Sequence, residues 1–381
     1  MVTDSLLLMY IVGGLFGLIA GFVMHRSDYC VAGMFRDIFM FRKTTQLRAL
    51  CLQIVLTMLA FEAVRLLGLL PLYPYPLLGA ASLANIIGGF LFGIGMVLAG
   101  GCVVGTLYKM GAGSLVSGCA FIGLIIGSGI YAEIHPWWAA VIKKTSFLTE
   151  YKTIPQLTGL SPVVFVLLIT IVTLPLFNKW RREKGREIPL SLRGYIKPWQ
   201  TAVVLSVIGL SSYLLLGMPL GITTTYAKMA AMVENVISPA HVASLAFYQG
   251  VPLDIVHPSS GGHLLGGAGP KIDSLWVIQF PLIAGIVGGS FISAILLREF
   301  RLYWRVPPYQ FVMTLVGGII LGLASRMVPG CNVWHLMGGI PILALQSLLF
   351  LVGLLPGAWV GGKMFLFVQK EWAGKRGTGN A

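Results

Sequence analysis

About nine apolar runs, each close to the roughly 20 residues that a membrane-crossing helix needs, follow one another through the chain and constrain its fold more than any other feature. They fall at residues 5–24, 47–70, 82–99, 114–133, 162–177, 199–216, 275–297, 309–324 and 342–360. In lipid every backbone N–H and C=O must find a partner inside the protein, so runs of this length become helices. The expected class is therefore an all-α, polytopic membrane protein. A chain that is 56% hydrophobic and only 10% charged fits no soluble domain. Its net charge of +14 could suggest nucleic acid, but the basic residues stand at the ends of apolar runs, the pattern of cytoplasmic membrane loops. Nucleic acid is excluded as a partner on that pattern. The first run lacks a basic leader and a small-residue cleavage site, so it is expected to be a retained helix. The five cysteines form no C-x-x-C pair and no zinc-spaced cluster with histidine. Neither a metal, a cofactor nor a disulfide framework is indicated.

One run breaks in an unusual way. Residues 96–111 read Met-Val-Leu-Ala-Gly-Gly-Cys-Val-Val-Gly-Thr-Leu-Tyr-Lys-Met-Gly. Gly100 and Gly101 let the backbone leave helical geometry, and residues 103–109 can start a short new helix whose free N–H groups point back at Cys102. Such N-termini attract anions. Broken helices survive at membrane depth only where they are buried in protein or line a cavity, so the break suggests a solute path with a thiol on its wall. The same pattern returns at residues 327–341. Gly89, Gly93, Gly101 and Cys102 correspond in spacing to Gly318, Gly322, Gly330 and Cys331, as an internal duplication requires. Residues 25–39 are too polar to span and too apolar for a loop, which predicts a re-entrant segment with Cys30 near its tip. Residues 217–234 occupy the equivalent place in the second half, with threonines, Thr223 among them, where the first half has cysteine; 329–340 is the fourth such segment.

Residues 179–197 are the most basic stretch and divide the chain. Four spans on each side, with the fifth as a connector, place the halves in opposite orientations: 1–160 is a first repeat, 161–198 the connector and basic loop, and 199–381 a second, inverted repeat. The basic stretches 26–48, 179–197, 298–305 and 370–376 then share one side. That side is cytoplasmic, the N-terminus is outside and the C-terminus inside. Cys30 and Cys102 are approached from the cytoplasm and Cys331 from outside, so three thiols line one path.

Three groups of residues carry a family resemblance: Asp28-Tyr29-Cys30 with Phe35-Arg36-Asp37, then Leu98-Ala-Gly-Gly-Cys102, then Gly330-Cys331-Asn332 with Gly338-Gly339-Ile340-Pro341. With these the chain resembles the YeeE/YedE family of sulfur-compound transporters. The resemblance implies an hourglass-shaped protein of a prokaryotic inner membrane, with Cys30, Cys102 and Cys331 along the path. It implies no enzymatic activity, and partners that are thiosulfate or a related small sulfur anion, the lipid bilayer and a small cytoplasmic sulfur-handling protein. The family also has members tied to selenium metabolism, so a selenium compound or another sulfur species is the alternative cargo. The connection at 234–274 is longer than the family pattern leads one to expect. A membrane thiol oxidoreductase pairing Cys102 with Cys331 is the competing class, and the lack of C-x-x-C, quinone or haem signatures argues against it.

Bland readings compete at each position. Cys51 and Cys119, in mid-span, are expected to be packing residues. Lys109, Arg36 and Arg326 can draw an anion inwards or merely snorkel to the interface. Gly101, Gly330, Asn332 and Thr223 are expected to line the path. His25, His263 and His335 fit polar packing better than pH gating.

Overall fold

The computed structural model describes residues 2–70, 73–75, 77–182, 194–257 and 261–377. Part of the Pro-rich turn at 71–76 and most of the basic loop at 179–197 lie outside them. Among the described residues nine helices are long and apolar enough to cross a membrane, and the protein is an all-α polytopic membrane protein as expected. In chain order the helices are α1 (Val2–Ser27), α2 (Val31–Phe41), α3 (Thr45–Leu66), α4 (Leu83–Leu98), α5 (Val103–Gly111), α6 (Leu115–Thr145), α7 (Ile154–Thr158) and α8 (Pro162–Arg182). Then follow α9 (Pro198–Leu216), α10 (Thr223–Ile237), α11 (Pro239–Ser244), α12 (Ala246–Gln249), α13 (Ser274–Leu296), α14 (Pro308–Met327) and α15 (Leu345–Gly377). A π-helical turn, Val333–Gly339, and a 3-10 turn, Ile340–Ile342, join α14 to α15. Helix α6 runs well past its expected end at 133 because Pro136 is accommodated inside it, and α15 continues past 360 to Gly377.

The most extensive helix contacts are α1 with α13, α4 with α15, α6 with α14, α4 with α14 and α3 with α9. Each joins a helix that precedes the basic loop to one that follows it. Small residues allow these approaches, since helices in lipid associate mainly by close packing. A Cβ on Gly17 would lie 2.9 Å from the Cα of Gly285 in α13. Helix α8 stands apart: Leu167, Leu168, Ile171 and Val172 on it are all exposed, as suits a lipid-facing connector.

The two ends of the bundle are held differently. At one end Arg26 donates to the Gly194 carbonyl at 2.6 Å, His25 bonds Ser293 at 2.9 Å, and Ser114 bridges to Tyr303. That end gathers the basic segments. At the other, Ser82 bridges to Ser146 and Thr153 to Ala344. The long connection there is folded rather than loose. It holds α11, α12 and an antiparallel hairpin of β1 (Leu253–Val256) and β2 (His263–Gly266). Lys228, fully buried in α10, ties it down with bonds to Asp273 Oδ2 at 2.6 Å and to the Lys271 carbonyl at 2.8 Å. The sequence reading placed no strand in this connection and so missed the hairpin.

The main core cluster runs through α2, α5, the start of α10 and the turn after α14, and includes Cys30, Cys102 and Cys331 themselves. Packing of α1 on α13 positions that core. Gly17→Ala should therefore force the two backbones apart at a cost of about 1–3 kcal/mol, read as a lower melting temperature in detergent. An unchanged melting temperature would show that α1 and α13 are not packed this closely.

Candidate functional site

Helix starts in this protein are of two kinds. Ser82, Ser114, Thr153 and Asp273 cap α4, α6, α7 and α13 with side-chain oxygens, the usual arrangement. The helices that begin in the core do without one. Helix α2 starts on Cys30 and α10 on Ile222, neither giving a side-chain cap, and α5 starts on Cys102, whose sulfur takes the Gly105 N–H at 3.3 Å. At α10 the Gln279 side chain supplies an acceptor instead, taking the Thr225 N–H at 3.1 Å, so α2 and α5 are the starts that keep most of their positive end charge.

Cys30 and Cys102 are neighbours, their thiols within hydrogen-bonding reach of each other. Gly105 makes room for them: a Cβ there would lie 2.7 Å from the Cys30 sulfur and 3.3 Å from that of Cys102. Gly101 lies over the first turn of α5, where a Cβ would come within 3.2 Å of the Thr106 nitrogen. Cys331 follows Gly330, whose φ of +136° is open to glycine and strained for other residues. All three thiols are buried.

Arg326, on the last turn of α14, is the cation of this region and is only 8% exposed. Its Nη1 donates to Thr224 at 3.2 Å and its Nη2 to Thr223. Both partners are neutral hydroxyls, and among the described residues no ion pair reaches it. Cys331 is within electrostatic reach of its guanidinium. A buried charge is normally paired, so this arrangement is short of one anion. Asn332 lies against Cys102, and Tyr226 is within electrostatic reach of both Cys102 and Cys331. Neither end of the Asn332 amide, nor the Tyr226 hydroxyl, nor Arg326 Nε has a hydrogen-bond partner. Each such buried group costs about 1–3 kcal/mol if left unsatisfied.

Flanking groups are satisfied locally. Tyr108 donates to Asp28 at 2.9 Å, Lys109 to the Gly100 carbonyl at 2.7 Å, and Arg36 to its neighbour Asp37 at 2.9 Å. Lys109 therefore secures the turn that carries Cys102, and Arg36 is partly exposed on α2. His335 bonds Ser347 through Nδ1 at 2.9 Å and stacks on Phe350, its buried Nε2 being left without a partner, while His263 sits exposed on the hairpin. Cys51 and Cys119 are only partly buried. An apolar cavity of about 40 Å³ touches Val104, Ile222 and Val333 behind the helix starts; it can hold a water or two but offers an anion nothing polar.

A buried cation without a carboxylate, three thiols and uncapped helix starts suit a small anion. A family model described as sulphur transport matches residues 26–360. The chain belongs to that family. Among its relatives is the thiosulfate transporter TsuA of Spirochaeta thermophila, 28% identical over 360 residues that cover 91% of this chain and 96% of that protein. The Escherichia coli protein of the same name is 28% identical over 362 residues, covering 92% and 93%. The probable transporter YedE of Escherichia coli is 30% identical over 162 residues, or 42% of this chain and 39% of that protein. These relatives are named as transporters, in keeping with a sulphur-transport family member that is not an enzyme.

Sequence reasoning named every residue of the cluster except Tyr226, Thr224 and Gly105. The signal for Tyr226 was present in the polar run Thr223-Thr-Thr-Tyr226 opening a membrane helix. Because the thiols are closed off, a water-soluble maleimide should label Cys30, Cys102 and Cys331 at least about tenfold more slowly in the native protein than after denaturation. Labelling of any one at the denatured rate would mean that its site is open.

Proposed function

We propose that this protein is an uptake transporter for thiosulfate or a closely related small sulfur anion. The observation that carries the reading is Arg326, buried beside Cys331 with neutral hydroxyls as its partners. Family membership and the names of relatives that align with more than nine-tenths of the chain support it. A dianion cannot enter a low-dielectric interior unaided, since desolvation costs several kcal/mol per charge. Here one full positive charge and the ends of α2 and α5 offset that cost. Thiols suit the sulfur end of the anion: a neutral S–H is a weak donor, matched to a large polarizable atom. Weak sites in series permit release as well as entry. The anion passes Cys331 first, then Cys102 and Cys30, and leaves towards Asp28 and the basic segments.

The same reading takes residues 1–160 and 199–381 as inverted repeats, with α1, α3, α4 and α6 equivalent to α9, α13, α14 and α15. Exchange of equivalents turns the α1–α13 contact into α9–α3, and α4–α15 into α14–α6, all among the five most extensive helix contacts, and the remaining one, α4–α14, maps onto itself. The re-entrant contacts obey the same exchange: α10 packs on α6 as α2 packs on α15. With the basic segments cytoplasmic, the N-terminus lies outside and the C-terminus inside the prokaryotic inner membrane.

Uptake of labelled thiosulfate into cells tests the reading. Cys102→Ala and Cys331→Ala should each abolish it at normal membrane abundance, with partial activity on Cys→Ser, while Cys51→Ala and Cys119→Ala retain it. Arg326→Gln should raise the KM at least about tenfold, as expected for loss of a charge-assisted contact. Parent-level uptake in both alanine variants at Cys102 and Cys331 would place the path elsewhere.

A further inference from the structure

Three side chains around the thiols carry polar atoms that nothing in the protein satisfies. Asn332 and Tyr226 are 0% exposed, yet both ends of the amide and the phenol hydroxyl lack partners. Arg326 spends its two terminal nitrogens on Thr223 and Thr224, and its Nε is unpaired as well. Nine in ten buried polar groups, or more, find a partner in native proteins. Ten buried side chains among the described residues carry such an atom, and these three lie on α10, at the end of α14 and just after Cys331, about two thiols. Tyr226 does pack, edge-on to Phe121 with ring centroids 5.6 Å apart. That contact explains the ring and leaves the hydroxyl unexplained, since phenylalanine would fill the same space.

Resting on the transport reading above, we infer that Tyr226, Asn332 and Arg326 Nε hold the oxygens of the anion while Cys102 and Cys331 face its terminal sulfur. The donor inventory fits. Tyr O–H, the Asn amide N–H and Arg Nε–H all donate, and oxyanion oxygens only accept. Asn332 lies against Cys102, and the two N–H groups of its amide can be shared between the Cys102 sulfur and an oxygen of the anion, linking the two halves of the site. The cargo is then an anion with three oxygens on one atom and a large chalcogen at its end. Thiosulfate and selenosulfate meet that description. Sulfate and selenate would set a fourth, strongly hydrated oxygen against weak thiol donors, so these residues together with the thiols determine selectivity.

Tyr226→Phe removes one oxygen and keeps the shape, and Asn332→Leu does the same for the amide. For each variant the KM and Vmax of thiosulfate uptake are measured, along with the melting temperature in detergent with and without thiosulfate. The expected result for Tyr226→Phe is a KM raised about tenfold with Vmax within about twofold. Its melting temperature without substrate should equal or exceed that of the parent, because no internal hydrogen bond is lost, and its stabilisation by thiosulfate should shrink. A merely structural role predicts the reverse, a lower melting temperature with KM unchanged, and would overturn the assignment. So would a Tyr226→Phe protein identical to the parent in KM and in thiosulfate stabilisation. If the parent itself neither takes up thiosulfate nor is stabilised by it, the transport reading fails and the assignment falls with it.

Discussion

A helix that begins inside a protein core has no water to take its first N–H groups, and α2, α5 and α10 begin on buried residues. At α4, α6, α7 and α13 the chain uses serine, threonine or aspartate to close a helix start. At α2, α5 and α10 it supplies cysteine or isoleucine instead. The positive ends of α2 and α5 are left weakly compensated, and the first turn of α10 holds a guanidinium on hydroxyls rather than on a carboxylate. The long helices outside them exist to keep this charged, under-satisfied centre away from lipid. Close pairing of α1 with α13 and of α4 with α15 makes that wall dense.

Sulfur is a sensible lining for such a centre. An oxygen cap would satisfy the helix start from within and compete with cargo, whereas the Cys102 sulfur takes a single N–H at 3.3 Å. Gly105 completes the arrangement by leaving space where two thiols come together. Function here depends on what the chain withholds from its own backbone as much as on what it provides.

Much of this was legible in the sequence because membrane helices announce themselves by length and apolarity alone. The nine spans, the Gly-Cys breaks and the three thiols followed from that signal. Boundaries were less legible: His-Pro-Trp at residues 135–137 reads as an interface, but α6 continues through Pro136 to Thr145. The hairpin between α12 and α13 was missed because four-residue strands with Gly-rich flanks resemble a loop. Thr223 was expected on the path as the counterpart of Cys30, and its hydroxyl instead receives Arg326. Tyr226 went unnoticed since a tyrosine in an apolar helix usually marks packing, and only the unpaired hydroxyl distinguishes it.

The central claim is that one buried anion site lies where these helix starts meet, with its sulfur end on the thiols and its oxygens towards Arg326. An experimental structure with selenosulfate, the selenium analogue of thiosulfate, tests it most directly, because anomalous scattering locates the terminal atom. The account predicts a selenium peak in contact with Cys102 or Cys331 and oxygen density towards Arg326 and Tyr226. A peak remote from these cysteines, or one with the selenium turned towards Arg326, would contradict it.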